Sequence, residues 1–205
     1  VNNRGVALIN DKVVSHTLDG RLIITNKETG EIEQEVQLAD ASVSEVITAA
    51  PLIVKDSVLT GVAGAEYGIR GWLHSTNLAD GSKNWRTYTI PAPDEPGGDT
   101  WKQGPESHSK DAWMHGGGST WVVGSYDPDL DVIYWGVGNP GPDWDNEYRP
   151  GDNLYSNSVL ALDADTGKIK WYFQYTPNDP YWNSQYGMEL IQADLAYDLW
   201  DIDGG

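Results

Sequence analysis

One turn, written three times, constrains this chain more than any other feature. Asp163, Thr166, Gly167 and Trp171 repeat the spacing of Asn77, Asp80, Gly81 and Trp85, and of Asn26, Thr29, Gly30 and Gln34. An Asp or Asn that ends a strand can bond the backbone of the turn that follows. Gly supplies the positive φ of a tight turn, and an indole a few residues later starts the outer strand and packs back. Short alternating runs lead into each turn: residues 6–9, 12–15 and 21–24 around Asn10-Asp11 and Asp19-Gly20; 51–54 and 57–60 around Lys55-Asp56; 120–123 and 131–135. No amphipathic helical period of useful length appears before residue 187, so the pattern predicts an all-β meander. A unit of this size copied along an all-β chain predicts propeller blades.

Composition agrees. Ten Trp against one Phe in 205 residues fit an indole with a repeated structural task. The balance of 13 Lys and Arg against 31 Asp and Glu gives −18, which argues against a nucleic-acid partner, since a polyanion is repelled. The apolar share is ordinary for a globular chain, so disorder does not explain the acidity. No apolar run reaches the ~18 residues of a membrane helix; residues 46–54 come nearest and are broken by Thr48 and Pro51. The lack of cysteine excludes a disulfide or thiolate metal site within these residues and is silent about compartment. His16, His74, His108 and His115 show no metal-ligand spacing. The chain opens at Val1 without Met or a leader pattern, so the expectation is an internal fragment, residues 1–205, of a single propeller domain.

Long polar loops on a rigid ring are where sites are built, and two stand out, residues 91–118 and 136–157. Three constellations could carry chemistry. In residues 61–71, Glu66 sits among small residues, where backbone can approach a flat ligand and the acid can hold a hard cation; a Gly-rich bulge with a solvated Glu fits the same pattern. Gly116, Gly117 and Gly118 lead through Ser119 to Trp121, and Asn139 follows eighteen residues later. An indole beside glycines can floor an aromatic cofactor, and an amide oxygen can supplement carboxylates around a cation, although a core Trp and an Asn-Pro turn account for them equally. Asp201 and Asp203 lie in the third, Trp200 to Gly204, which also reads as an Asx-rich turn.

The segment from Ala161 to Trp171 resembles the tryptophan-docking motif of the pyrroloquinoline-quinone (PQQ) alcohol dehydrogenases, whose eight-bladed propeller is held by such motifs. On that resemblance the chain is about three to four blades of the ring. The resemblance extends to the loops. Residues 63–71 are similar to the family's Gly-Ala-Glu signature, which implies Glu66 as metal ligand and Ala63, Gly64 and Ala65 as PQQ contacts. Thr48 and Ser119 stand among cofactor-contacting positions, Trp121 where a Trp stacks on PQQ, and Asn139 where an Asn ligates the metal. Residues 1–5 resemble a family start in which an Arg neighbours PQQ, implying that role for Arg4, with a vicinal Cys pair normally just upstream.

Trp200-Asp201 is similar to the stretch that carries the family's catalytic Asp. A second Asp two positions on, here Asp203, marks lanthanide-dependent members, whereas a small residue is common in calcium-dependent ones. About twenty residues, 180–199, separate this motif from Thr176-Pro177-Asn178-Asp179, where the family has one or two. Asp179 or Asn183 are the alternatives near the catalytic position, and residues 189–197 are expected as a surface helical insertion. The implied activity is oxidation of a primary alcohol to an aldehyde by hydride transfer to PQQ activated by Ca²⁺ or a lanthanide (La³⁺ or Ce³⁺), with Asp201 as base. A cytochrome c acceptor, the remaining blades, a possible homodimer and a periplasmic location go with it. The rivals are a non-catalytic, protein-binding propeller that shares the docking motif, and a PQQ sugar dehydrogenase.

Overall fold

The computed structural model describes residues 3–102 and 107–180. Twelve strands among them form three four-stranded antiparallel sheets. The first sheet runs β1 (Ala7–Ile9), β2 (Lys12–His16), β3 (Arg21–Asn26), β4 (Ile32–Gln37); the second β5 (Leu52–Val54), β6 (Ser57–Gly61), β7 (Trp72–Asn77), β8 (Lys83–Tyr88). The third has β9 (Ser125–Asp127), β10 (Val132–Val137), β11 (Ser158–Asp163) and β12 (Ile169–Gln174), again neighbour to neighbour in sequence order. These are three meander blades of a partial propeller.

The repeated turn has one geometry throughout. The Gly amides of Gly30, Gly81 and Gly167 bond back to the carbonyls of Asn26, Asn77 and Asp163 at 2.8–2.9 Å, with φ between 68° and 75°. The Asn or Asp side chain accepts from turn amides, as Asn26 Oδ1 does from Thr29 N at 3.1 Å and Asp163 Oδ1 from Thr166 N at 3.0 Å. Each pairing into the outer strand shifts register just before that turn, at Ile24/Thr25, Ser75/Thr76 and Ala161/Leu162.

The core lies between sheets, as it must when each sheet buries a face against the next. Val14, Leu22, Ile24, Val58, Val62 and Trp72 fill the first seam; Leu59, Leu73, Trp85, Ile133, Trp135 and Leu160 fill the second. Each large side chain fully buried there contributes roughly 2–3 kcal/mol. Lys55 also spans the second seam to Asp131 and Asp165, but exposed pairs of this kind contribute about 0–1 kcal/mol, so apolar burial dominates.

The alternation at residues 120–123 does not become a strand; the inner strand of the third sheet starts at Ser125. Thr120 spends its hydrogen bonds on the neighbouring sheet instead. Its amide donates to Val62 O (2.8 Å), its Oγ1 donates to Trp72 O (2.6 Å) and accepts from Val62 N (2.8 Å). Trp85 and Trp171 also part company. Trp85 is 8% exposed and Trp171 49%.

Candidate functional site

Four segments remote in sequence are laced together at one end of the sheets by main-chain hydrogen bonds. Val46 and Ala63 exchange both bonds at 2.8 and 3.0 Å. Gly117 donates to Ile69 O (2.9 Å) and accepts from Gly71 N (2.8 Å). Gly118 donates to Asn139 O (2.9 Å), Gly138 to Ser119 O (2.8 Å) and Gly141 to Gly116 O (2.9 Å). Such approach needs glycine: a Cβ on Gly71 would lie 2.0 Å from Gly118 O, and one on Gly64, at φ 120°, 2.3 Å from Ser44 O. The Glu66 loop, the glycine run and the Asn139 loop are therefore neighbours.

Arg4, Thr48 and Trp121 form one group. The Arg4 guanidinium carbon lies 4.6 Å from the centre of a Trp121 ring, and its Nη1 donates to Thr48 O at 3.3 Å. Ala63, Gly64, Ala65 and Ser119 are buried beside the lacing segments. The second group surrounds Asn139. Glu66 stands exposed on the short 3-10 turn Ala65–Tyr67, and a Cβ placed on Gly141 would come within 3.4 Å of Ala65 O, so the two loops abut. Asn139, 2% exposed, donates from Nδ2 to Asp143 Oδ1 at 2.6 Å. Burial pushes the Asp143 carboxyl above the usual carboxylate range; the Asn139 bond and Arg149 oppose this, while the charges of Glu66 and Asp179 add to it. Asp143 thus touches the Asn139 amide directly and lies within electrostatic reach of Glu66 on the abutting loop.

Arg149 anchors this loop from beneath. Fully buried, it donates to Asn153 Oδ1 (2.9 Å), Pro142 O (3.2 Å) and Asp179 O (2.6 Å), and burial lowers its pKa to about 10, leaving it charged at neutral pH. Asp179, an alternative to Asp201 on sequence grounds, is 3% exposed and accepts from Asn157 Nδ2 at 2.9 Å. Arg70 is turned away, with Nε to Ile90 O and Nη2 to Glu95, both at 2.7 Å. His115 meets the Glu66 loop through Nδ1 and Gly68 O, 3.0 Å apart.

Asp201, Asp203, Asn183 and the expected helix at 189–197 lie outside the described residues. Among the described residues no three His, Cys, Asp or Glu side chains form a cation site. The donors that are present, an exposed carboxylate and a buried amide on abutting loops, suit a hard cation that draws further oxygens from elsewhere, and the Arg4–Trp121 group suits a flat anionic ring. Asp143 and Arg149 were missed in the sequence. The available signal was an acid four residues after Asn139 in a loop already marked for its length.

The fold and these loops define a quinoprotein-type propeller. The family described as PQQ "Glucose/ethanol/alcohol dehydrogenase, beta-propeller domain" matches residues 1–187, and the chain belongs to it. It is 40% identical over 204 residues to quinoprotein alcohol dehydrogenase PedH of Pseudomonas putida, covering 93% of this chain and 33% of that protein. It is also 40% identical over 209 residues to the lanthanide-dependent methanol dehydrogenase of Methylacidiphilum fumariolicum, covering 96% and 34%. The solved structure of a europium-containing methanol dehydrogenase superposes with a TM-score of 0.81 at 38% identity, over 89% of this chain and 34% of that one. The chain thus spans about a third of the length of these relatives.

Proposed function

We propose that the protein is a quinoprotein alcohol dehydrogenase oxidising a primary alcohol to an aldehyde, with PQQ and a metal ion held where the loops meet. The observation that carries this is the convergence of the Glu66, Gly116–118 and Asn139 loops through paired backbone. A protein-binding propeller needs no such convergence, and the matched alcohol dehydrogenases favour an alcohol over a sugar.

In this proposal Trp121 offers its face to the cofactor ring, and Arg4, already over that indole, offers its guanidinium to the ring's carboxylates. Thr48, Ala63, Gly64, Ala65 and Ser119 shape the walls. Glu66 and Asn139 supply oxygens to the cation, joined by Asp201 and Asp203. Asp201 takes the hydroxyl proton of the alcohol as general base. Bound PQQ supplies the two-electron acceptor chemistry that side chains lack, with the cation as Lewis acid. A cytochrome c as electron acceptor and a periplasmic location belong to the same proposal, on the family resemblance.

Glu66, Asp201 and Asp203 would present three carboxylates, which neutralise a trivalent ion and leave excess negative charge around Ca²⁺. The ion proposed is a lanthanide. The full-length apoprotein reconstituted with PQQ should oxidise primary alcohols with La³⁺ or Ce³⁺, and Asp203→Ala should cut that rate by about a hundredfold, through loss of one charged ligand of the cation. Full activity with Ca²⁺ and no gain from lanthanides would overturn the metal assignment; no alcohol oxidation with any ion would overturn the activity.

A further inference from the structure

We propose that Asp143 is a positioning residue that fixes which end of the Asn139 amide faces the cation; this rests on the metal-site reading above. An Asn side chain presents either an NH₂ or an oxygen to a given neighbour, and the two ends are similar in shape. Only the oxygen can bind a cation. Asp143 bears on the choice by geometry: its Oδ1 accepts from Asn139 Nδ2 at 2.6 Å, so the NH₂ end is the one held against the carboxyl group. The same Nδ2 also lies 3.2 Å from Pro140 O. With Nδ2 facing these two acceptors, the inference assigns Oδ1 to the cation.

Asp143 is itself fixed. Pro142, immediately before it, is gripped through its carbonyl by both Nε and Nη2 of Arg149, at 3.3 and 3.2 Å. Arg149 is in turn locked by Asn153 and by the carbonyl of Asp179. The sequence of contacts runs from a buried guanidinium, through one peptide carbonyl and one carboxylate, to the amide. Partners that hold a ligand in orientation from outside typically matter 10–100-fold in metal affinity.

The probe is Tb³⁺ titrated into the full-length, PQQ-loaded, metal-free protein, followed by luminescence sensitised through Trp and by emission lifetimes in H₂O and D₂O. Asp143→Ala should weaken Tb³⁺ binding on the order of 10–100-fold and shorten the lifetime in H₂O as water replaces the Asn139 oxygen. Asp143→Leu, closer in volume, gives the same readout should Ala collapse the loop. Asp143→Asn can still accept the bond through its own oxygen and should bind within about threefold of wild type. Wild-type affinity and lifetime in Asp143→Ala would overturn the inference, as would Asp143→Asn falling as far as Ala, which would indicate charge alone. Glu66→Gln separates the two levels. If it abolishes binding while Asp143→Ala does not, only the positioning role falls; if it binds Tb³⁺ as wild type does, the site reading falls and the inference with it.

Discussion

His16 joins two blades as a neutral ring. Its Nδ1 lies 3.1 Å from Ala49 O and its Nε2 2.9 Å from Thr60 Oγ1, at 4% exposure. Burial, opposed only by the Ala49 bond, lowers its pKa from 6.5 to about 4. His74 is also lowered to about 4, by burial and then by the charges of Arg86 and Lys83. Between these values and the ordinary one the unfolded chain binds the proton and the folded chain refuses it, so each His costs stability as pH falls from 6.5 toward 4 and costs nothing above 7. On the full-length protein, urea midpoints at pH 7.5 and 5 should report a loss of about 2 kcal/mol for His16 alone. His16→Gln should flatten that dependence; an unchanged slope would show the ring to be hydrated. None of this was legible in the sequence, because the partners of His16 come from strands and loops decades of residues away. Asp143 escaped although its partner Asn139 is only four residues away, because its significance depends on where Arg149, itself held by the Asp179 carbonyl, pins the loop. Glu66 and Asn139, which carry local signatures, could be put forward as candidates from the sequence.

At the scale of the element, the repeated turn was legible because its physics is contained within it, an acceptor side chain, a left-handed Gly and the strand that follows. What the repeat does between blades required the structure. Trp85 Nε1 donates 3.2 Å to Ala164 O of the next blade, and a Cβ on Gly167 would strike its ring at 2.4 Å. Gln34 holds the corresponding place one blade earlier, with Nε2 2.8 Å from Ala79 O and 3.4 Å from Leu78 O. Its Oε1, however, is buried without a hydrogen-bond partner among the described residues. An indole has no such acceptor to strand. Trp85→Ala should therefore cost about 3–5 kcal/mol, and Gln34→Trp should stabilise the first seam by about 1 kcal/mol, the relief of one buried unpaired oxygen. Calorimetry of the full-length variants tests both; a lower melting temperature for Gln34→Trp would mean that the space beside Val36 and Gly81 cannot take the ring. The misread run at 120–123 makes the converse point, since alternation marks a strand only where the backbone bonds within its own sheet, and Thr120 bonds across.

At the scale of the whole molecule, rigid blades and long loops divide the labour: the seams fix the arc, and backbone pairing between loops gathers the site at its end. The charge belongs to neither task. A net −18 over 205 residues is the excess that remains after every Lys and Arg is set against an acid, and the cation site proposed needs only a few carboxylates. A surplus of one sign sets up a long-range field that draws an oppositely charged partner and scarcely alters the affinity of a neutral alcohol. If a cytochrome c with a basic face takes the electrons, encounter should be steered, and the field that steers it is screened within a Debye length of about 10 Å at 0.1 M salt and about 30 Å at 0.01 M. The second-order rate of cytochrome reduction by the full-length enzyme should therefore fall on the order of tenfold or more between 10 and 300 mM NaCl, while KM for the alcohol stays within about twofold. An uncharged artificial acceptor separates steering from any effect of salt on the chemistry, since its reduction should be nearly flat over the same range. A cytochrome rate that ignores salt, or that rises with it, would assign the acidity to solubility rather than to electron transfer.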